Sequence, residues 1–323
     1  MSVRVAVNIT CIRRQQMKKS NKKYNQYSRH LRELFNCKVY KVTIDAGFSC
    51  PNRDGTISNK GCIFCDAGGS FSQAHSNLLL IEKQLEESIA RLKNRFGAEK
   101  FISYFQAYTN TYAPVEKLKS LYDRALVHPD VVGLSIGTRP DCVDEEKLDM
   151  IASYQKDYLV WVEYGLQSMH DRTLIRINRG HSFEDFTRAV NLSKERGINS
   201  CAHVIIGLLG ERREDVLQTA KVLADMEIEG VKLHLMCVLK DTKLEKLYNK
   251  GEINLLSEEE YVETVCDFLE ILPSSTTIHR IAGNGLKTIR IAPKWLGAKL
   301  KILNQIDETL DKRGSFQGKY YKK

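Results

Sequence analysis

A polar loop that contains three cysteines constrains this chain more than any other stretch. The loop follows a short β-branched run at residues 42–44, typical of a strand, and is rich in the Gly, Pro, Asn and Asp residues that end regular structure. Cys62 and Cys65 are separated by two residues, a gap that lets two thiolates bind one metal centre, and Cys50 lies upstream on the same loop. The spacing therefore favours a metal centre to which all three sulfur atoms contribute.

Three thiolates are an informative number because they leave the usual metal centres incomplete. A structural zinc ion takes four ligands, and a [4Fe–4S] cluster usually takes four cysteines, so three cysteines leave one iron open for a substrate or cofactor. Phe64, between the paired cysteines, would help to keep water away from such a cluster. Two alternatives stay open: a zinc site completed by His75, and free buried cysteines, which rarely gather in a polar loop. The three-cysteine iron–sulfur cluster is the favoured interpretation.

The composition is that of a globular protein in a reducing compartment. The chain has 323 residues, and its nine cysteines are too scattered for a disulfide framework. No apolar run approaches the ~20 residues of a membrane span. The first residues place a weak apolar segment before basic ones, the reverse of the order in a signal peptide. We therefore expect a cytoplasmic protein that does not enter a membrane.

Basic residues are concentrated at both ends of the chain. Residues 1–41 hold eleven Lys or Arg against one acid, and residues 294–323 hold eight against three, whereas the remaining body is slightly acidic. Aromatic residues lie among these charges and could stack on bases. Basic ends are attracted to nucleic acid, although a solvated tail that aids solubility has the same composition.

Strand-like and helix-like segments alternate along the chain, which predicts a parallel sheet with right-handed crossovers. The predicted strands are residues 42–44, 101–105, 131–136, 158–164, 200–206, 231–238 and 276–281. The predicted helices are residues 78–96 with Asn77 as the cap, 114–126, 145–154, 183–196, 213–226, 244–248 and 258–272. The first six strands would form an open or partial barrel. Polar stretches follow the first four strands, and barrels place their chemistry at that edge.

Three of these stretches resemble elements of one family. Residues 138–141 (TRPD), 165–168 (GLQS) and 178–181 (NRGH) resemble the corresponding elements of the Elongator-type domain of the radical S-adenosylmethionine (SAM) superfamily. The strand followed by three cysteines, with an aromatic residue between the last two, is similar to the superfamily as well. The long first cysteine gap is similar to that of the Elongator catalytic subunit and of its short bacterial relatives of the YhcC/YtqA type. The resemblance spans roughly residues 38–285.

The resemblance implies a fold, two cofactors and a reaction. The fold would be α/β, a partial (βα)6 radical SAM barrel with a C-terminal α/β extension and basic N- and C-terminal arms. The predicted domains are a basic arm at 1–37, a radical SAM core at 38–250 and an extension with a basic tail at 251–323. A [4Fe–4S] cluster on Cys50, Cys62 and Cys65 would cleave SAM reductively to a 5′-deoxyadenosyl radical. A low-potential reductase such as flavodoxin or ferredoxin would be the electron donor.

The resemblance also suggests which residues bind the methionine end of SAM. The usual glycine-rich, acid-containing stretch after the second strand is here residues 105–110, FQAYTN, so the amino group would be bound by backbone or by Gln106 and Thr109. Arg179 is a candidate for the SAM carboxylate, because a guanidinium binds a carboxylate with two hydrogen bonds. A salt bridge on the surface is the alternative for Arg179.

Other candidate residues follow the later strands. Gln167 and Ser168 are candidates for the SAM ribose, with helix capping as the alternative for Ser168. Arg139 would face SAM or an anionic substrate, or would brace its own loop. Lys240 and His203 are weaker substrate candidates, since Lys240 is as well explained by exposure and His203 by packing in an apolar strand. No residue is assigned as the catalytic acid or base.

The substrate is less constrained than the reaction. The Elongator-like elements imply modification of a tRNA wobble uridine, and the basic ends agree with RNA binding. A radical SAM enzyme that acts on a small molecule or a protein is the alternative. A zinc-dependent nucleic-acid-binding protein without redox chemistry is the third hypothesis.

Overall fold

The structure, a computed structural model, describes residues 22–66, 68–69, 80–283 and 288–322. Its helices are α1 (Tyr27–Phe35), α2 (Ile81–Phe96), α3 (Val115–Arg124), α4 (Glu145–Ala152), α5 (Asp171–Arg176), α6 (Phe183–Glu195), α7 (Arg213–Asp225), α8 (Lys243–Asn249), α9 (Glu258–Ile271) and α10 (Lys299–Lys312). Its strands are β1 (Val39–Ile44), β2 (Lys100–Phe105), β3 (Val131–Thr138), β4 (Leu159–Gln167), β5 (Asn199–Ile206), β6 (Gly230–Leu235), β7 (Val238–Leu239), β8 (Thr277–Arg280) and β9 (Arg290–Ala292). Asn77, His75 and the arm before residue 22 lie outside the described residues.

Seven strands form one parallel sheet that curls into a half-barrel. They are ordered β1-β2-β3-β4-β5-β6-β8, and every neighbouring pair is parallel. Consecutive strands lie side by side because a helix carries the chain back to the start of each next strand. The expected partial barrel with a C-terminal α/β extension is confirmed.

The expectation of one continuous strand over residues 231–238 is wrong. β6 ends at Leu235, and β7 leaves the sheet to pair antiparallel with β9. The Met236 N–H still donates to the Ile206 carbonyl at the end of β5, and the chain leaves the main sheet after this bond. Residues 235–238, LMCV, are uniformly apolar, and such a run gives no periodic signal for where a strand ends.

Helices α6 and α9 begin at serine side-chain caps. Ser182 and Ser257 each accept from the backbone N–H three residues on and form capping boxes with Asp185 and Glu260. Their apolar faces pack on the outside of the sheet in one large core that includes Phe186 and Phe268. The helix caps thus hold the loops at the sheet's carboxyl edge in fixed positions.

The N-terminal end of the half-barrel is closed by helix α1. Tyr27 and Leu31 pack inside with Ile102, Trp161 and Cys201. The Tyr27 ring stacks on His279, with 3.8 Å between ring centroids. The basic charge of this segment had favoured an arm, whereas residues 27–35 form a helix that fills the barrel floor.

The basic C-terminal tail also contains folded structure. Helix α10 buries Ile302, Ile306 and Leu310 completely against the large core. Gln317 then ties the two ends of the described chain together, because its side chain accepts from Asn25 N–H at 2.8 Å and donates to nearby carbonyls. Among the described helices, none combines the length and apolar character that crossing a membrane requires.

Candidate cofactor site and active-site cavity

A cavity opens at the carboxyl ends of the parallel strands and reaches down into the half-barrel. Nine of the predicted site residues line it: Cys50, Cys62, Cys65, Gln106, Thr109, Arg139, Gln167, Arg179 and His203. Ser168 and Lys240 do not line it. Residues as far apart in the sequence as Cys50 and His203 therefore meet on one surface, as expected for the edge at which parallel strands end.

The cysteine loop is held in place by backbone hydrogen bonds. Arg53 N–H donates to the Cys50 carbonyl at 2.8 Å, and Cys65 N–H donates to the Cys62 carbonyl at 3.1 Å. The Ile63 N–H donates to the Ile177 carbonyl at 3.0 Å, which anchors the loop to the end of helix α5. The three cysteines are free thiols, with Cys62 buried and the other two half-buried.

The distances between the three sulfur atoms disfavour a single metal ion. In the described structure, the sulfur atoms of Cys50, Cys62 and Cys65 do not all lie within 4.8 Å of one another. Two sulfurs bound to one zinc at about 2.3 Å can be at most about 4.6 Å apart. As placed, the three thiols therefore do not form a site for one zinc ion.

Hydrogen-bond donors surround these sulfur atoms. Asn52 Nδ2 and Arg179 Nη1 each lie 3.6 Å from Cys62 Sγ, and Arg53 Nη1 lies 3.5 Å from Cys65 Sγ. Burial raises the pKa of the Cys65 thiol to about 12, and nearby Cys62 adds to the rise while Arg53 opposes it. Donors and cations at sulfur stabilise thiolates and the charge of a bound cluster. The residues present therefore fit an iron–sulfur cluster.

Arg179 is held at the cavity wall by a glycine. Its Nη2 donates to the Gly165 carbonyl at 2.9 Å, and its Nε lies 2.8 Å from His181 Nε2. A Cβ added at Gly165 would lie 2.4 Å from Nη2, so only glycine admits this approach. Arg179 is buried and has no carboxylate partner among the described residues. The surface salt bridge considered for Arg179 is therefore not present.

Arg139 lines the cavity but is fully paired within its own loop. Its Nε and Nη2 donate to the two oxygens of Asp141 at 2.9 and 2.7 Å, and its Nη1 donates to the Arg179 carbonyl at 2.7 Å. The guanidinium has thus formed the two-point contact that a ligand carboxylate would need. The loop-bracing interpretation fits Arg139 better than direct SAM binding.

Gln167 and Ser168 are neighbours with different surroundings. Gln167 adopts a left-handed conformation with φ of 72° where the register of β4 against β5 shifts, and its side chain lines the cavity. Ser168 donates its hydroxyl to Glu211 and accepts the N–H of His170 at 3.0 Å, just before helix α5. These contacts favour the helix-start role for Ser168.

Thr109 and Lys240, two further predicted site residues, lie in different places. The Thr109 hydroxyl is buried in the cavity wall and has no hydrogen-bond partner in the described structure. Its N–H donates to the Ser49 carbonyl at 3.2 Å, which ties it to the cysteine loop. Lys240 is exposed beyond β7, because the chain leaves the main sheet before it.

A buried ion-pair network in the middle of the half-barrel was missed by sequence reasoning. Glu163 is fully buried and accepts from Ser135 Oγ at 2.6 Å, from His203 Nε2 at 2.7 Å, from Lys232 Nζ at 2.9 Å and from Lys41. Burial alone would raise the pKa of Glu163, but the charges of Lys232 and Lys41 hold it well below its usual value. The sequence did contain a signal for this network, because Glu163 and Lys232 each interrupt a largely apolar strand.

The network keeps its histidines neutral. Burial lowers the pKa of His203 to about 4 and that of His279 to about 3. Glu163, Cys201 and His279 have potential ligand atoms within 4.8 Å of one another. Both carboxylate oxygens of Glu163 already bind ammonium groups, however, so this group forms an ion-pair network and not a cation site.

The chain matches two family descriptions. The radical SAM superfamily matches residues 54–223, and the radical SAM C-terminal domain matches residues 228–312. YtqA of Bacillus subtilis is 42% identical over 304 residues, which are 94% of each chain. Protein YhcC of Escherichia coli is 37% identical over 291 residues, which are 90% of this chain and 93% of that one.

More distant similarity extends to proteins named for tRNA uridine acetylation. A tRNA uridine(34) acetyltransferase of Methanocaldococcus infernus is 30% identical over 153 residues, 46% of this chain and 28% of that protein. The structure of Elp3 from the same organism, with its N-terminus deleted, matches with a TM-score of 0.66 at 20% identity. That match covers 86% of this chain and 64% of the other, and it shows a shared fold.

Proposed function

This chain belongs to the radical SAM superfamily, and we propose that it is an enzyme that cleaves SAM reductively at a [4Fe–4S] cluster held by Cys50, Cys62 and Cys65. The observation on which the proposal rests is the meeting of three free cysteines at the mouth of the half-barrel, spaced too widely for one metal ion. When bound, the cluster and SAM supply a 5′-deoxyadenosyl radical that removes a hydrogen atom that acid–base catalysis cannot remove.

The cavity wall offers separate groups for the parts of SAM. Arg179, free of a carboxylate partner in the described structure, would bind the SAM carboxylate with charge-assisted hydrogen bonds. Thr109, whose hydroxyl is unpartnered in the described structure, and Gln106 would bind the amino group, and Gln167 would bind the ribose. Phe64 lines the same cavity and would exclude water from the cluster.

The substrate we propose is a tRNA, modified at its wobble uridine. The proposal is supported by the partial similarity to a tRNA uridine(34) acetyltransferase and by the basic residues at both ends of the chain. A flavodoxin or ferredoxin is proposed as the reductase because such a cluster needs a low-potential electron donor. A small-molecule or protein substrate remains the second hypothesis for the same cavity.

The first experiment tests the cofactor chemistry. The protein is reconstituted anaerobically with iron and sulfide, reduced with dithionite and given SAM, and 5′-deoxyadenosine is measured by chromatography. We expect product from the wild type and from Cys37→Ala, whose thiol lies outside the cavity, and none from Cys62→Ala. Equal product from Cys62→Ala and wild type would contradict the assignment of the cluster.

A second experiment tests the substrate. Nucleosides of the wobble position are compared between a deletion strain, its parent and a strain that expresses Cys62→Ala. A modified uridine that is lost in the deletion strain and is not restored by Cys62→Ala supports the proposal. Unchanged nucleosides in all three strains would refute the tRNA substrate and leave SAM cleavage unaffected.

A further inference from the structure

The inner end of the cavity has more positive than negative charge. Below the cysteines, the cavity is lined by Lys232, Arg280 and Glu163, and Lys41 binds the same carboxylate of Glu163. Three cations thus surround one acid within the barrel. Lys232 and Glu163 are buried, and Lys41 and Arg280 are half-buried. Charges withdrawn from water are normally paired, so this surplus leaves room for an anionic ligand.

Two groups at this inner end are unpartnered. Arg280 is half-buried and lines the cavity, and its side chain forms no hydrogen bond and no ion pair with any described residue. The Nε2 atom of His234 is buried and has no hydrogen-bond partner in the described part of the chain, and His234 also lines the cavity. Buried polar atoms without partners are rare, and each calls for a water, an ion or a ligand.

A third donor completes the set. Lys232 Nζ lies 2.7 Å from the Tyr104 hydroxyl and 2.9 Å from Glu163, on the strand that also contains His234. An ammonium group has three N–H donors, so Lys232 keeps one for a ligand after these two contacts. The rings of His203 and His234 lie beside it, with centroids 5.2 Å apart and planes tilted by 42°.

We propose that Lys232, His234 and Arg280 bind the carboxylate of a small organic acid at the inner end of the cavity. This inference rests on the proposed function, because it makes the acid a further substrate in addition to SAM and the RNA. Arg280 would bind the carboxylate with two hydrogen bonds, and Lys232 and His234 would donate one each.

Other ligands of similar size fit this end less well. A flipped uracil base is neutral and would leave the surplus charge uncompensated. Phosphate sites in α/β folds are commonly built from backbone N–H groups at helix N-termini, whereas the three donors here are side chains of parallel strands. RNA phosphates remain on the strand outside when a base is drawn into a pocket.

The charges facing Lys232 make binding depend on pH. Those charged or titratable groups come from six strands and are Lys41, Tyr104, Glu163, His203, His234 and Arg280. Burial lowers the pKa of Lys232 to about 8, Glu163 opposes the shift, and Arg280 and Lys41 add to it. The carboxylate prefers the protonated lysine, so its dissociation constant should rise above pH 8 by up to about tenfold per pH unit.

The test is direct binding to the cluster-loaded protein without SAM or reductant. Acetate, lactate, malonate and succinate are titrated anaerobically by calorimetry and by saturation-transfer NMR, with inorganic phosphate and uridine as comparators. We expect at least one acid to bind and Arg280→Gln to weaken it by tenfold or more. Arg188→Gln is the matched control, since Arg188 is exposed on helix α6 and should leave binding unchanged.

Several results would overturn the proposal. The first is that none of the four acids binds at concentrations up to about 10 mM. The second is that Arg280→Gln binds the acid as tightly as the wild type does. The third is that phosphate or uridine binds more tightly than any acid and that this binding depends on Arg280. Lys232→Met could disturb the pairing of Glu163, so Arg280→Gln, which breaks no described ion pair, is the deciding variant. Because the readout needs no SAM cleavage, its failure is distinct from failure of the proposed enzyme activity.

Discussion

Gly165→Ala should separate the binding of SAM from the stability of the fold. The new Cβ would lie 2.4 Å from Arg179 Nη2 and 2.8 Å from Gln167 Nε2. Ordinary contacts are about 3.4 Å or more, so the guanidinium must move by about 1 Å and give up its bond to the Gly165 carbonyl. Gly165 does not have a positive φ, so alanine fits the backbone of β4.

The expected loss can be estimated from the contacts of Arg179. Displacing the guanidinium removes one charge-assisted contact to the SAM carboxylate, worth about 1.5–3 kcal/mol, which corresponds to a roughly 10- to 150-fold weaker affinity. SAM binding is measured anaerobically by equilibrium dialysis, and folding is followed by circular dichroism. Gly297→Ala, remote from the cavity, is the control and should bind SAM as the wild type does.

A double-mutant cycle shows whether the methyl group acts through Arg179. If it does, Gly165→Ala should add almost nothing to the loss already caused by Arg179→Gln. Additive losses would mean that the methyl group acts elsewhere, for example through Gln167. Wild-type SAM affinity in Gly165→Ala would refute the assignment of Arg179 to the carboxylate.

Three further predictions concern the interior of the half-barrel. Glu163→Gln should lower the free energy of unfolding by about 3 kcal/mol because two ammonium groups lose their buried partner, whereas Glu145→Gln, 77% exposed, should change it by less than about 0.5 kcal/mol in the same urea titration. Burial lowers the pKa of His203 to about 4, whereas a histidine in the unfolded chain titrates at about 6.5. Between these two pH values only the unfolded chain binds the proton, so the free energy of unfolding should decrease by about 1.4 kcal/mol for each unit that the pH falls. His203→Gln should reduce that slope by this amount, and an unchanged slope would contradict it. Tyr27→Ala should cost about 3–5 kcal/mol by opening a cavity at the barrel floor, and a thermal shift no larger than that of exposed Tyr320→Ala would count against the packing of α1.

The mouth of the site could be predicted because its signals are local in sequence. Cys50, Cys62 and Cys65 lie on one polar loop, and the later stretches each follow a strand. Parallel strands end at one edge, so alternation alone brings such stretches together. The same logic failed for Ser168, because the change of register at Gln167 places these neighbours in different surroundings.

Which interior residues face the cavity could not be predicted from the sequence. Glu163 and Lys232 stand in apolar strands, but which strand face is inward depends on register and curl, which are properties of the whole sheet. Arg280 reaches the cavity from β8, which joins the sheet only after a long helical excursion. At the chain ends, basic charge concealed the apolar faces of α1 and α10, whose buried residues recur at helical spacing.

The half-barrel has an apolar lower layer and a charged middle layer, and only the lower layer is explained by the stability of the fold. The lowest layer, with Tyr27, Ile102 and Trp161, shows that this fold can fill its interior with apolar and aromatic side chains. Replacing a buried ion pair by apolar residues is often neutral or stabilising, so the fold does not require Glu163 and Lys232 directly above that layer. Strongly shifted pKa values in a cavity are typical of functional sites. We therefore propose that the charged middle layer acts together with the cysteines above it and contacts the substrate.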